Sequence, residues 1–189
     1  MEKQIEQAEK SSEKPLRIAV SGRSGCGNTT VSSLLAQKLG ITLVNYTFRQ
    51  LAQESGMTLS EIMLAARTDD SFDKRVDERQ VALAREGSCV LGSRLAIWML
   101  PEANLKVYLE ASAEVRAQRI FAREGGSIED IKSFTALRDS EDTMRYKKLY
   151  NIDNTDYAFA DMVIDTAKYS AEEIATMIFS SLPQHSRLS

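Results

Sequence analysis

The segment Gly22-Arg23-Ser24-Gly25-Cys26-Gly27-Asn28-Thr29-Thr30 carries residue types and spacings that could do chemistry. Glycines at 22, 25 and 27 let a backbone wrap closely around an anion, with successive N–H groups turned inward. A phosphate-binding loop between a strand and a helix asks for Gly, four residues, Gly, Lys, then Ser or Thr. Gly22, Gly27 and Thr29 fall in that register, and Thr29 offers its hydroxyl to Mg²⁺. Asn28 stands where the pattern has lysine, so the cation that normally reaches the β- and γ-phosphates is absent. Arginines must then supply the charge, and Arg23 within the loop is one candidate. The chemistry implied is binding of a nucleoside triphosphate such as ATP and transfer of its terminal phosphoryl group, which rests on positioning and charge stabilisation.

Transfer of that kind needs several guanidinium groups converging on one cleft, because the planar fork of arginine binds phosphate oxygens in pairs. The candidates are Arg49, Arg79, Arg94, Arg116, Arg119, Arg123, Arg138 and Arg145. Arg116 and Arg119 lie on neighbouring turns of one helix, so both are not expected to reach the cleft. Within Arg138-Asp139-Ser140-Glu141-Asp142, Asp139 and Glu141 read as a solvated helix face, whereas Asp142 and Arg145 read as site residues. Trp98 and Met99 read as core packing. Tyr146 and Tyr150 either cover an acceptor cleft or pack half-buried. No Ser/His/Asp or Cys/His set is present for covalent catalysis, and His185, in the C-terminal stretch, is not a catalytic candidate.

The elements that must hold these groups are short and alternate in type. Leu16 to Ser21 reads as a strand leading into the loop. From Asn28, the spacing of Val31, Leu34, Leu35 and Leu39 predicts a helix ended by Gly40. Ile41 to Val44 reads as a strand, and Phe48 to about Gly87 as mostly helical, broken at Gly56-Met57-Thr58, with Thr58-Leu59-Ser60-Glu61 in capping-box form. Further strands are expected at Cys89–Leu91, Leu105–Leu109 and Asp161–Asp165. Helices are expected at Ala113–Arg123, about Ile128–Leu149 and Ser170–Phe179, with a joint at Glu124-Gly125-Gly126-Ser127. Five strands alternating with helices imply an α/β fold, a parallel sheet with helices on both faces whose ligands bind beyond the carboxyl ends of the strands.

Composition bounds the function classes. The 189 residues fit one domain, expected over 15–181 with polar tails at 1–14 and 182–189, and 43% of them are hydrophobic. A net charge of −3 argues against a broad nucleic-acid surface. No apolar run approaches the roughly 20 residues needed to span a bilayer. Cys26 and Cys89, without CxxC spacing, read as buried thiols of a reduced cytoplasmic protein.

The chain resembles the cytidylate kinase family, in particular its short archaeal-like branch, over nearly everything from Leu16 to about Phe179. The resemblance rests on the glycine loop, Phe48-Arg49-Gln50-Leu51-Ala52, Asp77-Glu78-Arg79-Gln80 and Ser93-Arg94-Leu95-Ala96-Ile97-Trp98-Met99. It continues through Ala113 to Ile120, Arg138 to Asp142 with Arg145-Tyr146, and Tyr150-Asn151-Ile152-Asp153. It implies a P-loop NTPase three-layer fold with a helical acceptor-binding insertion at about 46–87 and a lid at about 119–138. It also implies a monomer using ATP and Mg²⁺ to phosphorylate CMP or dCMP. By that resemblance Arg49, Arg79, Arg94, Asp142 and Arg145 contact the acceptor, and Arg119, Arg123 and Arg138 close over the transferred phosphate. Two departures stand out: Asn28 in the loop, and Gly92-Ser93 where relatives usually place an acid and glycine at the end of the third strand. They keep two alternatives in view, a weak or inactive nucleotide-binding protein on the same fold and a kinase of another small acceptor.

Overall fold

The computed structural model describes residues 14–183. The tails expected at 1–14 and 182–189 lie outside the described residues except for Lys14, Leu182 and Pro183, and His185 lies outside them too. The strands are β1 (Arg17–Gly22), β2 (Thr42–Val44), β3 (Cys89–Gly92), β4 (Leu105–Glu110) and β5 (Met162–Asp165). The helices are α1 (Asn28–Leu39), α2 (Phe48–Ser55), α3 (Leu59–Ala65), α4 (Ser71–Arg85), α5 (Ala96–Met99), α6 (Ala113–Glu124), α7 (Ile128–Tyr150) and α8 (Ala171–Ser181). One parallel sheet runs in the order β2-β3-β1-β4-β5, with Ala19 beside Leu91 and Val20 beside Val107. The expected sheet, with helices on both faces, is therefore what the chain forms.

Alternation along the strands builds the layers, because successive side chains leave opposite faces. Ile18, Val20, Val90, Val107 and Leu109 meet Val31, Leu35 and Leu39 of α1 and Ile174 and Ile178 of α8. Ala19, Cys89, Leu91 and Tyr108 face the other way, onto Val81 and Ala84 of α4 and Ala96 and Ile97 of α5. Leu182, one residue beyond the boundary drawn from sequence, is 3% exposed and packs into the first layer. Trp98 packs edge-on against Tyr108, with ring centroids 6.0 Å apart. Four residues are too few to show a helical period, so α5 was legible as packing and not as a helix.

Two units project from this sandwich. α2, α3 and α4 gather a small core of their own from Tyr46, Leu51, Ala52, Ile62 and Val76. The capping box at α3 forms: Thr58 N–H donates to Glu61 Oε2 at 2.8 Å, and Glu61 N–H donates to Thr58 Oγ1 at 3.2 Å. α6 and α7 pack chiefly on each other across Gly125 and Gly126, whose φ angles of 73° and 101° favour glycine. Over its 23 residues α7 buries Thr135, Asp142 and Tyr146, while Phe134, Leu137 and Met144 remain exposed.

The sheet core and the α6–α7 pair should therefore respond differently to truncation. Leu109→Ala, at a position with no exposed surface, should lower stability by about 3 kcal/mol, whereas Leu137→Ala should change it by less than about 0.5 kcal/mol. Urea unfolding of both variants checks this, and equal midpoints would contradict it.

Candidate functional site

β1 ends in the glycine loop, and the backbone there takes shapes that side chains would prevent. Gly25 and Gly27 have φ of 85° and 93°, in the left-handed region. A Cβ at Gly22 would lie 2.4 Å from the Leu109 carbonyl oxygen, and one at Gly25 would lie 2.9 Å from Arg116 Cβ. Gly27 caps α1 without a side-chain hydrogen bond, and no acid lies in the first turn. The amides of Asn28, Thr29 and Thr30 precede the first bonded amide of the helix, that of Val31, which donates to the Gly27 carbonyl at 3.0 Å. An uncapped helix start behind a left-handed glycine turn fits a phosphate chain.

This loop opens on a cleft of about 820 Å³. Its walls include Arg23, Ser24, Gly25 and Gly27 to Thr30 from the loop, Thr47 and Phe48 at α2, and Asp73, Asp77 and Gln80 from α4. Arg94, Arg119, Arg123, Arg138 and Arg145 line it too, so five predicted arginines from distant segments share one space. Cys26 is the loop residue turned away, 2% exposed beneath the loop, where burial raises its thiol pKa. Cys89 is likewise buried and free.

The departures from the loop pattern have local structural explanations. Asn28 Nδ2 donates to the Gly22 carbonyl at 2.6 Å, while its buried Oδ1 has no partner among the described residues. The side chain braces the loop mouth where a lysine would extend along the phosphates. At the end of β3, a Cβ on Gly92 would lie 2.5 Å from Ser32 Oγ. Ser32 of α1, fully buried, occupies the space an acid at position 92 would need. Sequence reading gave no signal for this pairing, because residues 32 and 92 meet only when α1 packs on β3.

The arginines divide by destination. Arg94 Nη1 lies 3.0 Å from Asp142 Oδ2, and its Nη2 donates to Ser24 Oγ at 3.0 Å. Arg145 Nη2 lies 2.5 Å from Asp142 Oδ1, and its Nε lies 3.2 Å from Asp73 Oδ1. Burial works against the charge on Arg145, but Asp142 and Asp73, with Tyr146, hold its pKa above the usual guanidinium value. Arg119 is tied at its root, donating to Thr166 Oγ1 at 2.8 Å and to the Thr166 carbonyl at 2.6 Å. Arg123 pairs with Glu124 at the cleft rim.

Of Arg116 and Arg119, not both expected at the cleft, Arg116 is the one that lies apart from it, while Asp139, Arg49 and Arg79 are placed otherwise than the sequence reading expects. Arg116 is 5% exposed behind the loop, donating to the Ser24 carbonyl at 3.1 Å and to Asp139 Oδ2 at 2.7 Å. Asp139 is thus no solvated residue; it joins Arg116 and, at 3.6 Å, Arg23, while Glu141 is exposed as expected. Arg49 and Arg79 are exposed and outside the residues lining the cleft. Helical phase explains Arg79: positions 73, 76, 77 and 80 of α4 share the inward face, and 79 falls off it. The same phase exposes what the reading missed within its own Asp77-Glu78-Arg79-Gln80 block, namely Asp77 and Gln80. Tyr146 is buried against the cleft, and Tyr150 donates its hydroxyl to Asp77 Oδ2 at 2.9 Å.

Comparison with known proteins places this geometry in context. The profile of the cytidylate kinase-like family matches residues 17–168. The chain is 45% identical over 167 residues to a cytidylate kinase 2 of Borreliella afzelii (strain PKo), covering 86% of this chain and 94% of the relative. It is 39% identical over 169 residues to a cytidylate kinase of Pyrococcus horikoshii, covering 88% of each. Among solved structures, it resembles shikimate kinase from Acinetobacter baumannii in complex with shikimate, with a TM-score of 0.60 at 20% identity, covering 90% of this chain and 94% of that one. At that identity the likeness speaks for the fold alone.

Asp77 gives this site a measurable signature. Burial raises its carboxyl pKa to about 6, against the hydrogen bond from Tyr150, with Asp73 adding to the rise. The folded chain therefore holds a proton where the unfolded chain has released it, so this group's contribution to stability is greatest below about pH 4 and is lost as pH rises through about 6. Asp77→Asn should raise Tm at pH 7.5 by about 2–4 °C or more and leave it unchanged at pH 4. Calorimetric scans at both pH values test this, and a variant no more stable at pH 7.5 would refute it.

Proposed function

The chain belongs to the cytidylate kinase-like family, and we propose that it transfers the γ-phosphoryl group of ATP to CMP or dCMP to give the diphosphate. One observation carries the reading: the glycine loop, Arg94 and Arg145 line a single cleft, with Asp142 joining the two arginines and Arg94 reaching Ser24 of the loop. The loop amides and the start of α1 hold the β- and γ-phosphates of ATP. Among the described residues no cluster of His, Cys, Asp or Glu is placed to hold a metal. Thr29, at the start of α1, lines the cleft, so its hydroxyl would be the protein ligand for an Mg²⁺ arriving with the triphosphate, and the ion would neutralise phosphate charge.

Arg94 and Arg145 hold the acceptor phosphate and sugar side, with Asp142 fixing both forks before the substrate arrives. Arg119, Arg123 and Arg138, on the unit at about 119–138, surround the transferred group, and closure of that unit excludes water. Arg49 and Arg79 reach the acceptor through movement of the unit at about 46–87. The acceptor phosphate is already anionic at neutral pH, so no strong general base is needed. The protein acts as a monomer in the cytoplasm; its two buried free thiols support a reducing compartment.

Asn28, folded back onto the Gly22 carbonyl, favours one second reading, a nucleotide-binding protein with little or no turnover. A coupled ADP assay over the common monophosphates should show Mg²⁺-dependent turnover with CMP and dCMP; turnover with AMP or GMP and none with CMP would reject the first reading. Arg94→Ala and Arg145→Ala should each lower kcat/KM for CMP by about 100-fold, and unchanged kinetics would mean that the acceptor lies elsewhere. If the arginines replace the missing lysine, Asn28→Lys should change kcat by less than about tenfold. Turnover appearing in that variant from an inactive parent would support the second reading.

A further inference from the structure

One face of α4 presents a pair of acceptors to the cleft that the roles above leave unused. Asp73, Val76, Asp77 and Gln80 recur at helical spacing and all line it. Asp73 is engaged by Arg145. Asp77 has no ion pair among the described residues; its Oδ2 accepts from the Tyr150 hydroxyl at 2.9 Å. Gln80 is 5% exposed, and its buried Oε1 has no partner among the described residues. Tyr46, Phe48, Val76 and Leu95 form the apolar surroundings.

A half-buried carboxylate whose one hydrogen-bond donor among the described residues is the Tyr150 hydroxyl, beside an orphaned buried amide oxygen, is costly in a folded chain. Both deficits are relieved by the same partner: a donor with two hydrogens, set on a flat ring that fits among apolar and aromatic side chains. We propose that Asp77 and Gln80 read the exocyclic amine at C4 of the acceptor base, and so select cytosine over uracil. The inference rests on the phosphoryl-transfer reading of this cleft and adds to it the residues that set base identity.

The chemistry discriminates by sign. Cytosine carries N4–H₂, a donor, where uracil carries O4, an acceptor. Against Asp77 and Gln80 Oε1 the amine closes two hydrogen bonds, while a carbonyl oxygen faces a carboxylate, leaves Gln80 Oε1 unpaired and leaves Asp77 with the Tyr150 hydroxyl alone. A site built around a substrate N–H can reject the analogue lacking it by about 10⁴-fold, because its buried groups are stranded. Arg94 and Arg145, already turned to Asp142, remain available for the anionic end of the same ligand.

The test compares kcat/KM for CMP and UMP in the whole chain and in Asp77→Asn and Gln80→Leu, with ATP saturating and CMP binding followed by calorimetry. The parent should prefer CMP by at least about 10³-fold. Asp77→Asn turns an acceptor edge into one that can donate to O4, so the preference should fall by at least about tenfold, with CMP affinity lost and UMP use gained. Gln80→Leu should weaken CMP binding by about tenfold without a gain for UMP. A circular-dichroism melt confirms that each variant is folded, and Asp77→Asn removes a buried charge without changing shape. A parent that uses CMP and UMP equally, or an unchanged ratio in Asp77→Asn, would overturn the inference and leave CMP phosphorylation standing. A parent that turns over neither nucleotide would instead overturn the reading on which it rests.

Discussion

Asp142 is the point at which three parts of the molecule are fastened. It sits on α7, takes Arg94 from the segment after β3 on one oxygen and Arg145 on the other, and Arg145 in turn reaches Asp73 on α4. α7 has little apolar surface to hold it otherwise, since Phe134 and Met144 are 63% and 62% exposed. A largely buried network of this kind adds little net stability over an apolar contact, yet losing one member strands its partners in a poor solvent. Its consequence is orientation: two guanidinium forks are held in fixed positions at the cleft by carboxylates.

Ion pairs contribute to the joint between the sandwich and the α6–α7 pair. Apolar burial fixes the sheet with α1 and α8, while α6 and α7 meet chiefly each other and turn on Gly125 and Gly126. Arg119, near the root, is anchored to Thr166, whereas Arg123 near the tip pairs with its neighbour Glu124. A graded attachment, firm at the base and loose at the tip, is what a segment drawn from the low-stability end of a fold looks like.

The loop shows how a departure from pattern can be absorbed. Asn28 satisfies the carbonyl of Gly22 in place of extending a charge, and Ser32 fills the volume opposite Gly92. The two substitutions lie on one turn of α1 and one strand end, so they form a single rearranged corner. Positive charge is then gathered from Arg94, Arg119, Arg123, Arg138 and Arg145, around the cleft, together with Arg23 of the loop, in place of a lysine at position 28. On α4, Asp77 points into the cleft at an energetic cost, which is the pattern expected when a side chain is kept for a ligand and not for the fold.

Local rules carried the reading of the sequence a long way. Strand alternation, helical spacing from Val31 to Leu39, the Thr58–Glu61 capping box and the glycine register are each written in neighbouring residues, so the order of elements and the place of the phosphate loop followed directly. What spacing along the chain could not reveal were contacts across it. Asp139 looked solvated until α7 lay against Arg116, and Gly92 looked like a loss until Ser32 lay beside it. Arg79 and Asp77 stand two residues apart, yet about 160° of helical rotation on α4 sends one to solvent and the other into the cleft. Composition names the groups that can act; only the packing of helix on sheet decides which of them share a space, because burial and charge pairing are properties of surfaces brought together from distant parts of the chain.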